Sequence, residues 1–119
     1  MDIAEINDIL SKAPSIISYR AELENKYYAL MLTMHEKYKE LRGLKYKELR
    51  EKTMTIKDVD YALDCDNELV ALKNEEINSE IEYRKFRTEK DRAVNKFEAA
   101  KNIGYNLRCE IKGLSDTIK

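Results

Sequence analysis

Helix-breaking residues are nearly absent from this chain, which contains one proline and three glycines among its 119 residues. Together with 38% charged residues, this scarcity predicts long α-helices in a single folding unit. We therefore expect an all-α fold with one domain over residues 1–119. Its predicted segments are a short N-terminal helix over 1–13, a long helix over 15–52, a short connector helix over 55–63 and a long C-terminal helix over 66–113.

The predicted boundaries depend on a few breaking and capping residues. Pro14 fits best in the first turn of a new helix, so the first helix should end near residues 11–14. Thr55 followed by Asp58 resembles a capping box and should start the connector helix. Asp64 or Asp66 can cap the last helix, and Gly113 is typical of a C-cap.

Two heptad seams predict how the long helices pack. The first seam holds Ile16, Leu23, Leu30 and Leu44 at one position and Tyr27, Met34 and Leu41 at the other. The second, in an oligomerisation segment over 86–114, holds Phe86, Ala93, Ala100, Leu107 and Leu114 at one position and Lys90, Phe97, Gly104 and Ile111 at the other. We expect an elongated helical hairpin with coiled-coil seams, completed by homo-oligomerisation, because a short chain cannot bury two such seams alone.

Gly104 is unusual because it falls inside the second seam. Glycine in a helix interior costs about 1 kcal/mol relative to alanine, so a close approach of another backbone is one explanation for its presence. The alternative is that the helix breaks at Gly104.

Charge is segregated along the chain although the 22 basic and 23 acidic residues nearly cancel. Residues 35–52 combine basic and aromatic side chains, which suit single-stranded nucleic acid because cations neutralise phosphates and rings stack on bases. A solvated helix face with internal ion pairs is the alternative. Residues 64–82 are acidic and residues 84–101 are basic, with Arg84, Lys85 and Arg87 as a second candidate contact. The candidate nucleic-acid-binding residues are Lys37, Lys39, Arg42, Lys45, Tyr46, Lys47, Arg50 and Lys52.

The sequence contains no recognisable catalytic or metal-binding motif, so we expect a protein that is not an enzyme and binds no cofactor or metal. Phosphate loops, nucleophile elbows and HExxH are missing, and the single His35 has no evident catalytic partner. Cys65 and Cys109 follow no metal-ligand spacing. Metal binding by the carboxylates of residues 64–82 is the less favoured alternative. The acidic N-terminus and the lack of a long apolar run predict a cytoplasmic protein without a membrane partner.

The order of these features resembles the UvsY family of phage recombination mediators. The residues that carry the resemblance are GLKYKELREK (43–52), TMTIKDVDYALDCDNELVALK (53–73) and AVNKFEAAKNIGYNLRCEIK (93–112), within a similarity that covers about residues 15–112. The family has a basic and aromatic helical segment, a connector, and a C-terminal oligomerisation helix that contains glycine. This chain departs from the family in its short, glycine-free connector.

The resemblance implies a function and a set of partners. Proteins of this family form homo-oligomeric rings, bind single-stranded DNA and help a RecA-like recombinase replace single-strand-binding protein, here in the host cytoplasm if the chain is phage-encoded. Lys45, Tyr46, Lys47 and Arg50 would contact DNA. The assembly face would comprise Phe97, Ala100, Ile103, Gly104, Leu107 and Ile111. Two alternatives remain open, which are a small helical inhibitor of a host nucleic-acid enzyme and a coiled-coil scaffold that binds no DNA.

Overall fold

The computed structural model describes residues 1–118, with side chains described as far as Gly113. Three helices, α1 (Ile3–Glu51), α2 (Ile56–Asp64) and α3 (Asn67–Ile118), account for nearly all of this part of the chain, which contains no strand. The predicted all-α helical hairpin is confirmed, with α2 as the connector. Within residues 1–118, no helix offers a stretch long and apolar enough to cross a membrane.

The predicted helix break at residues 11–14 is wrong, because α1 runs through Pro14 as one helix. Proline removes one backbone hydrogen bond, to the carbonyl four residues earlier, and its ring crowds that carbonyl. The residues before Pro14 stay helical because they are held by packing, with Ile6 and Ala13 only 3% and 7% exposed. The first two predicted helices are therefore one.

The two chain reversals around α2 are fixed by capping. Thr53, just after α1, adopts the left-handed conformation (φ 61°), and its N–H donates to the Arg50 carbonyl. The Thr55 side chain accepts a hydrogen bond from the Asp58 N–H, as predicted for the start of α2. Of the two candidate caps for α3, Asp66 is the one used, since its side chain accepts from the Leu69 N–H at 3.0 Å.

Two compact units divide the hairpin, and unit 2 comprises Glu24–Arg84. Its core is the cluster of Val59, Leu63 and Leu69, each 2% exposed or less. Val59 and Leu63 lie one turn apart on α2, and Leu69 lies in the first turn of α3. Partly buried side chains of α1 and of the α1–α2 connection pack against the cluster, namely Tyr38, Leu41, Leu49 and Met54.

Unit 1 comprises the described residues of Met1–Leu23 and Lys85–Lys119. Its buried apolar side chains are those of Ile6, Ala13 and Ala100. A Cβ placed on Gly104 of α3 would lie 3.4 Å from the Ile6 Cγ2 atom of α1. The two helices of this unit therefore approach each other closely at Gly104.

Helix α3 is uninterrupted at both of its glycines. It continues through Gly104, so the alternative of a break there is wrong, and it continues through Gly113, so the predicted C-cap and end at residue 113 are also wrong. Neither glycine adopts a positive φ. Glycine permits a left-handed cap but does not impose one, because it adopts helical dihedrals as well.

Candidate nucleic-acid interface

Five of the residues in the basic segment share one exposed face of α1. Lys39, Gly43, Tyr46 and Arg50 recur at steps of four, three and four residues, and Lys47 lies one turn after Gly43. We call this set of five residues the basic stripe. It spans about 16 Å along the helix. Its residues are exposed, with Tyr46 as a whole residue at 36% and the Lys39 side chain at 61%.

The exposed cations of the basic stripe have few competing partners within the chain. Lys39 lies 3.8 Å from Glu36, a pair on one exposed helix face that contributes little. Arg50 donates one hydrogen bond to the Met54 carbonyl at 2.8 Å, which leaves most of its five N–H donors for another acceptor. Lys47 forms no ion pair within the described residues. A backbone can approach at Gly43, where a Cβ would meet nothing within 4 Å.

Lys45 belongs to a different environment, although it was predicted as a central DNA contact. Its Nζ atom lies 2.7 Å from Asp66 Oδ2 and 3.5 Å from Glu68 Oε1, and its side chain is only 20% exposed. The hydrogen bond to Asp66 raises the pKa of Lys45 above 10.5. The same bond, helped by the Leu69 N–H, lowers the pKa of Asp66 below 3.8. We call Lys45, Asp66 and Glu68 the clasp, because they tie α1 to the start of α3.

The other candidate residues are spread around α1. Arg42 reaches two carboxylates of α2, Asp60 at 3.8 Å and Asp64 at 3.5 Å, and so supports the connector. Lys37 is exposed but lies nine residues from Tyr46, about 180° around the helix. Lys52 is exposed just beyond the end of α1. The structure therefore brings five residues together on one exposed face, including Gly43, and places Lys37, Lys45 and Lys52 elsewhere. Arg42 lies one turn before Tyr46 on α1, but its guanidinium is engaged by the two carboxylates of α2.

Tyr38, the second aromatic residue in the basic segment, packs against the apolar cluster of unit 2. The Lys73 ammonium lies 5.3 Å from the centroid of its ring. Because one face of a stacking ring must be open to a base, Tyr38 is poorly placed for DNA and Tyr46 is the better candidate.

The sequence did not predict a polar network that crosses from α1 to α3 in unit 2. The Glu76 side chain is 12% exposed. It accepts a hydrogen bond from Lys73 Nζ at 3.1 Å, and its other carboxylate oxygen lies 2.8 Å from His35 Nδ1. Burial raises the pKa of Glu76, but the hydrogen bonds from Lys73 and His35 outweigh it and the net shift is downward. His35 thus has a structural partner 41 positions away, which no sequence pattern indicated.

The predicted assembly face is largely used inside the chain. Ala100 is fully buried in unit 1, and Phe97, Ile103, Gly104 and Leu107 are half-buried there. Only Ile111 is well exposed, at 58%. The Gly104–Ile6 approach gives the glycine a partner within its own chain, and self-assembly stays a prediction. The side chain of Leu114, the last predicted seam residue, lies outside the described residues.

The second basic segment is exposed on α3. Arg84 forms an ion pair with Glu80 at 2.7 Å, and Lys85 lies 5.4 Å from the centroid of the Phe86 ring. Arg87 is exposed and forms no ion pair within the described residues. Residues 84–101 thus offer cations but no exposed aromatic residue comparable to Tyr46.

The clasp predicts how stability depends on pH. Because the pKa of Asp66 is lowered by folding, its contribution is present above pH 3.8 and is lost as pH falls through its lower folded pKa. Because the pKa of Lys45 is raised, its contribution is present below pH 10.5 and is lost as pH rises through the higher folded value. Lys45→Met should therefore be less stable than the parent between about pH 5 and pH 9, and this difference should shrink at both extremes.

Urea denaturation across this pH range measures the difference. Lys47→Met is the matched control, because it removes the same charge two residues away on the exposed face. A stability difference for Lys45→Met that is independent of pH would contradict the role of the clasp.

No protein-family model, curated protein or solved structure matches the chain. The resemblance to the UvsY family thus stays a prediction from residue patterns. What the structure adds is the basic stripe, in which an exposed aromatic ring lies among cations on one helix face.

Proposed function

We propose that this protein is a recombination mediator of the UvsY type, which binds single-stranded DNA as a homo-oligomer and assists a RecA-like recombinase in replacing single-strand-binding protein. The observation that carries the proposal is the exposed Tyr46 ring, flanked on the same helix face by Lys39, Lys47 and Arg50. The resemblance of residues 43–52 and 93–112 to that family supports it.

The basic stripe has the chemistry that an unpaired strand requires. Its cations neutralise phosphates, and stacking of a base on one aromatic ring contributes about 1 to 3 kcal/mol. Neither interaction reads the base sequence, so binding should prefer no sequence and should weaken with salt. Duplex DNA offers no open base face to Tyr46, and the protein should therefore prefer single strands.

One copy of the stripe provides few contacts, which is why self-association belongs to the proposal. An assembly that repeats the stripe in every subunit gains affinity through multivalency without any new contact. In such an assembly, the affinity for a long strand should exceed that for an oligonucleotide that reaches only one stripe.

Neutralising the stripe is expected to weaken single-strand binding without unfolding the protein. Lys39→Gln with Lys47→Gln should lower the slope of log affinity against log salt by about 1.4 for each stripe that the strand contacts, since each phosphate contact contributes about 0.7. Tyr46→Ala should weaken binding about 5- to 150-fold at constant salt, the equivalent of about 1 to 3 kcal/mol of lost stacking. The measurement is a fluorescence anisotropy titration of a labelled oligonucleotide at several salt concentrations.

A matched control and a competing site make this experiment decisive. Lys57→Gln with Lys112→Gln removes two exposed charges elsewhere and should leave the slope nearly unchanged. If Lys85→Gln with Arg87→Gln lowers the slope and the stripe variant does not, the DNA site lies on the second basic segment.

A helical scaffold without nucleic-acid contact is the second candidate function. It is favoured by one observation, namely that Arg42 and Lys45 are engaged by carboxylates of the same chain. Basic residues that hold the connector in place need no DNA to explain them. Failure of the parent protein to bind oligonucleotides at low salt would favour this candidate.

A further inference from the structure

Unit 1 contains an open groove of about 400 Å³ between α1 and α3. Its apolar lining includes Ile9, Ala13, Ile16 and Ala93, and the two alanines leave room for an inserted side chain. The groove takes no part in the basic stripe, which belongs to unit 2. We call it the α1–α3 groove.

The rim of this groove carries an excess of positive charge. Lys12 pairs with Asp8 at 2.8 Å, and Arg20 pairs with Glu89. Two further cations that line it, Arg92 and Lys96, form no ion pair within the described residues. Because like charges four residues apart on a helix repel each other, an acidic group bound beside these two would stabilise both.

The complementary surface is on α2 of the same chain. Tyr61 is 74% exposed, the highest value among the exposed large apolar side chains. Asp58 and Asp64 lie three residues before and after it, so they flank the ring on one helix face. Asp58 forms no side-chain ion pair within the described residues, and the Asp64 side chain is 71% exposed although Arg42 lies near it. This α2 face thus presents an aromatic anchor between two carboxylates, with the exposed Lys57 one turn before the ring.

We propose that the α1–α3 groove binds the α2 face of a second copy of this chain, with Tyr61 inserted between Ala13 and Ala93 and the carboxylates beside Arg92 and Lys96. The charges are opposite, the apolar floor receives an aromatic anchor of the kind that dominates interfaces, and the polar rim surrounds it. The inference deepens the self-association within the proposed function but does not depend on DNA.

This contact is heterologous, because the two surfaces that meet are different. Each subunit then donates its α2 face to one neighbour and its groove to another. A head-to-tail contact of this type builds a ring when the rotation closes and a filament when it does not. It also accounts for assembly although five of the six residues of the predicted C-terminal face, all but Ile111, are at least half-buried within unit 1.

Charge reversal on each surface, measured without DNA, tests the inference. Arg92→Glu with Lys96→Glu makes the groove acidic, and Asp58→Lys makes the α2 face basic beside Lys57 while leaving the Arg42–Asp64 pair in place. Each variant alone should repel itself and shift in light scattering toward the 14.0 kDa monomer. An equimolar mixture should assemble again, with the two variants alternating, because the reversed groove of one variant attracts the reversed α2 face of the other. Circular dichroism verifies that both variants stay helical.

Loss of the anchor gives a second test that leaves charge unchanged. Tyr61→Ser should raise the dissociation constant of the assembly at least about tenfold. Ile56→Ser is the matched control, since Ile56 is also exposed on α2 but lies about 140° around the helix from Tyr61.

Three results would overturn the inference: a parent that is monomeric at high protein concentration, variants that keep the parent's mass, or a mixture that stays monomeric. A monomeric parent would also point to a different acidic partner for the groove. Loss of DNA binding with intact assembly would instead count against the mediator proposal alone.

Discussion

Truncation of Leu69 to alanine is expected to lower the free energy of unfolding by about 2 to 5 kcal/mol. Leu69 is 0% exposed and joins the first turn of α3 to Val59 and Leu63 of α2. Shortening it removes apolar contacts and leaves a cavity at the point where three helices meet. For a small domain this is a large share of the total stability.

Urea denaturation followed by circular dichroism measures this loss. Val70→Ala is a control at the adjacent position, where the side chain is 43% exposed, and its effect should stay within about 0.5 kcal/mol. A Leu69→Ala protein as stable as this control would show that the cluster is not a core.

Enlargement of Ala100 to leucine is the second change with a large expected effect, a destabilisation of about 1 to 3 kcal/mol. Ala100 is fully buried in unit 1, near the point where Gly104 of α3 approaches Ile6 of α1. Additional methyl groups there must push the two helices apart. Ala99→Leu is the control, because the adjacent alanine is exposed and leucine is also a good helix former.

The concentration dependence of this effect separates two explanations for the small residues. If Ala100 packs within its own chain, the loss of stability in urea denaturation should be the same at low and high protein concentration. If it packs mainly between subunits, the loss should appear as a lower assembly mass and should vary with concentration.

Local capping chemistry made part of the fold predictable. The spacing of Thr55 to Asp58 predicts the cap of α2, and Asp66 is one of two predicted caps for α3, because a cap is a contact within four residues. The predicted helix ends at Pro14 and Gly113 are wrong for the opposite reason. Both residues can break a helix. Whether they do so depends on the backbone dihedrals and on tertiary packing, which the residues next to them in the sequence do not determine.

The sequence predicts where the packing seams lie on the helices but not which helix covers them. The heptad from Phe86 to Leu107 does mark the less exposed face of α3, whereas Ile16 and Leu44 of the first seam are exposed at 43% and 62%. A heptad indicates which face is buried and not whether the covering helix belongs to the same chain. Gly104 illustrates this, since its close neighbour Ile6 is 98 positions away in the same chain.

The candidate site was predictable only as a segment. Composition located the cations of residues 35–52, but their roles depend on which carboxylates the fold brings near them. Lys45 and Lys47 are two residues apart, yet the first is held by Asp66 and the second is exposed. The two tyrosines differ in the same way, since Tyr38 packs against the core and Tyr46 is exposed at the surface.

The most direct test of the proposed function is a titration of the unaltered protein with one labelled oligonucleotide, as a single strand and as the matching duplex, at increasing salt. We expect binding that favours the single strand, is independent of base sequence, and weakens with a log–log slope of about 0.7 for each phosphate contact. Absence of binding at low salt, or equal affinity for the duplex, would contradict it.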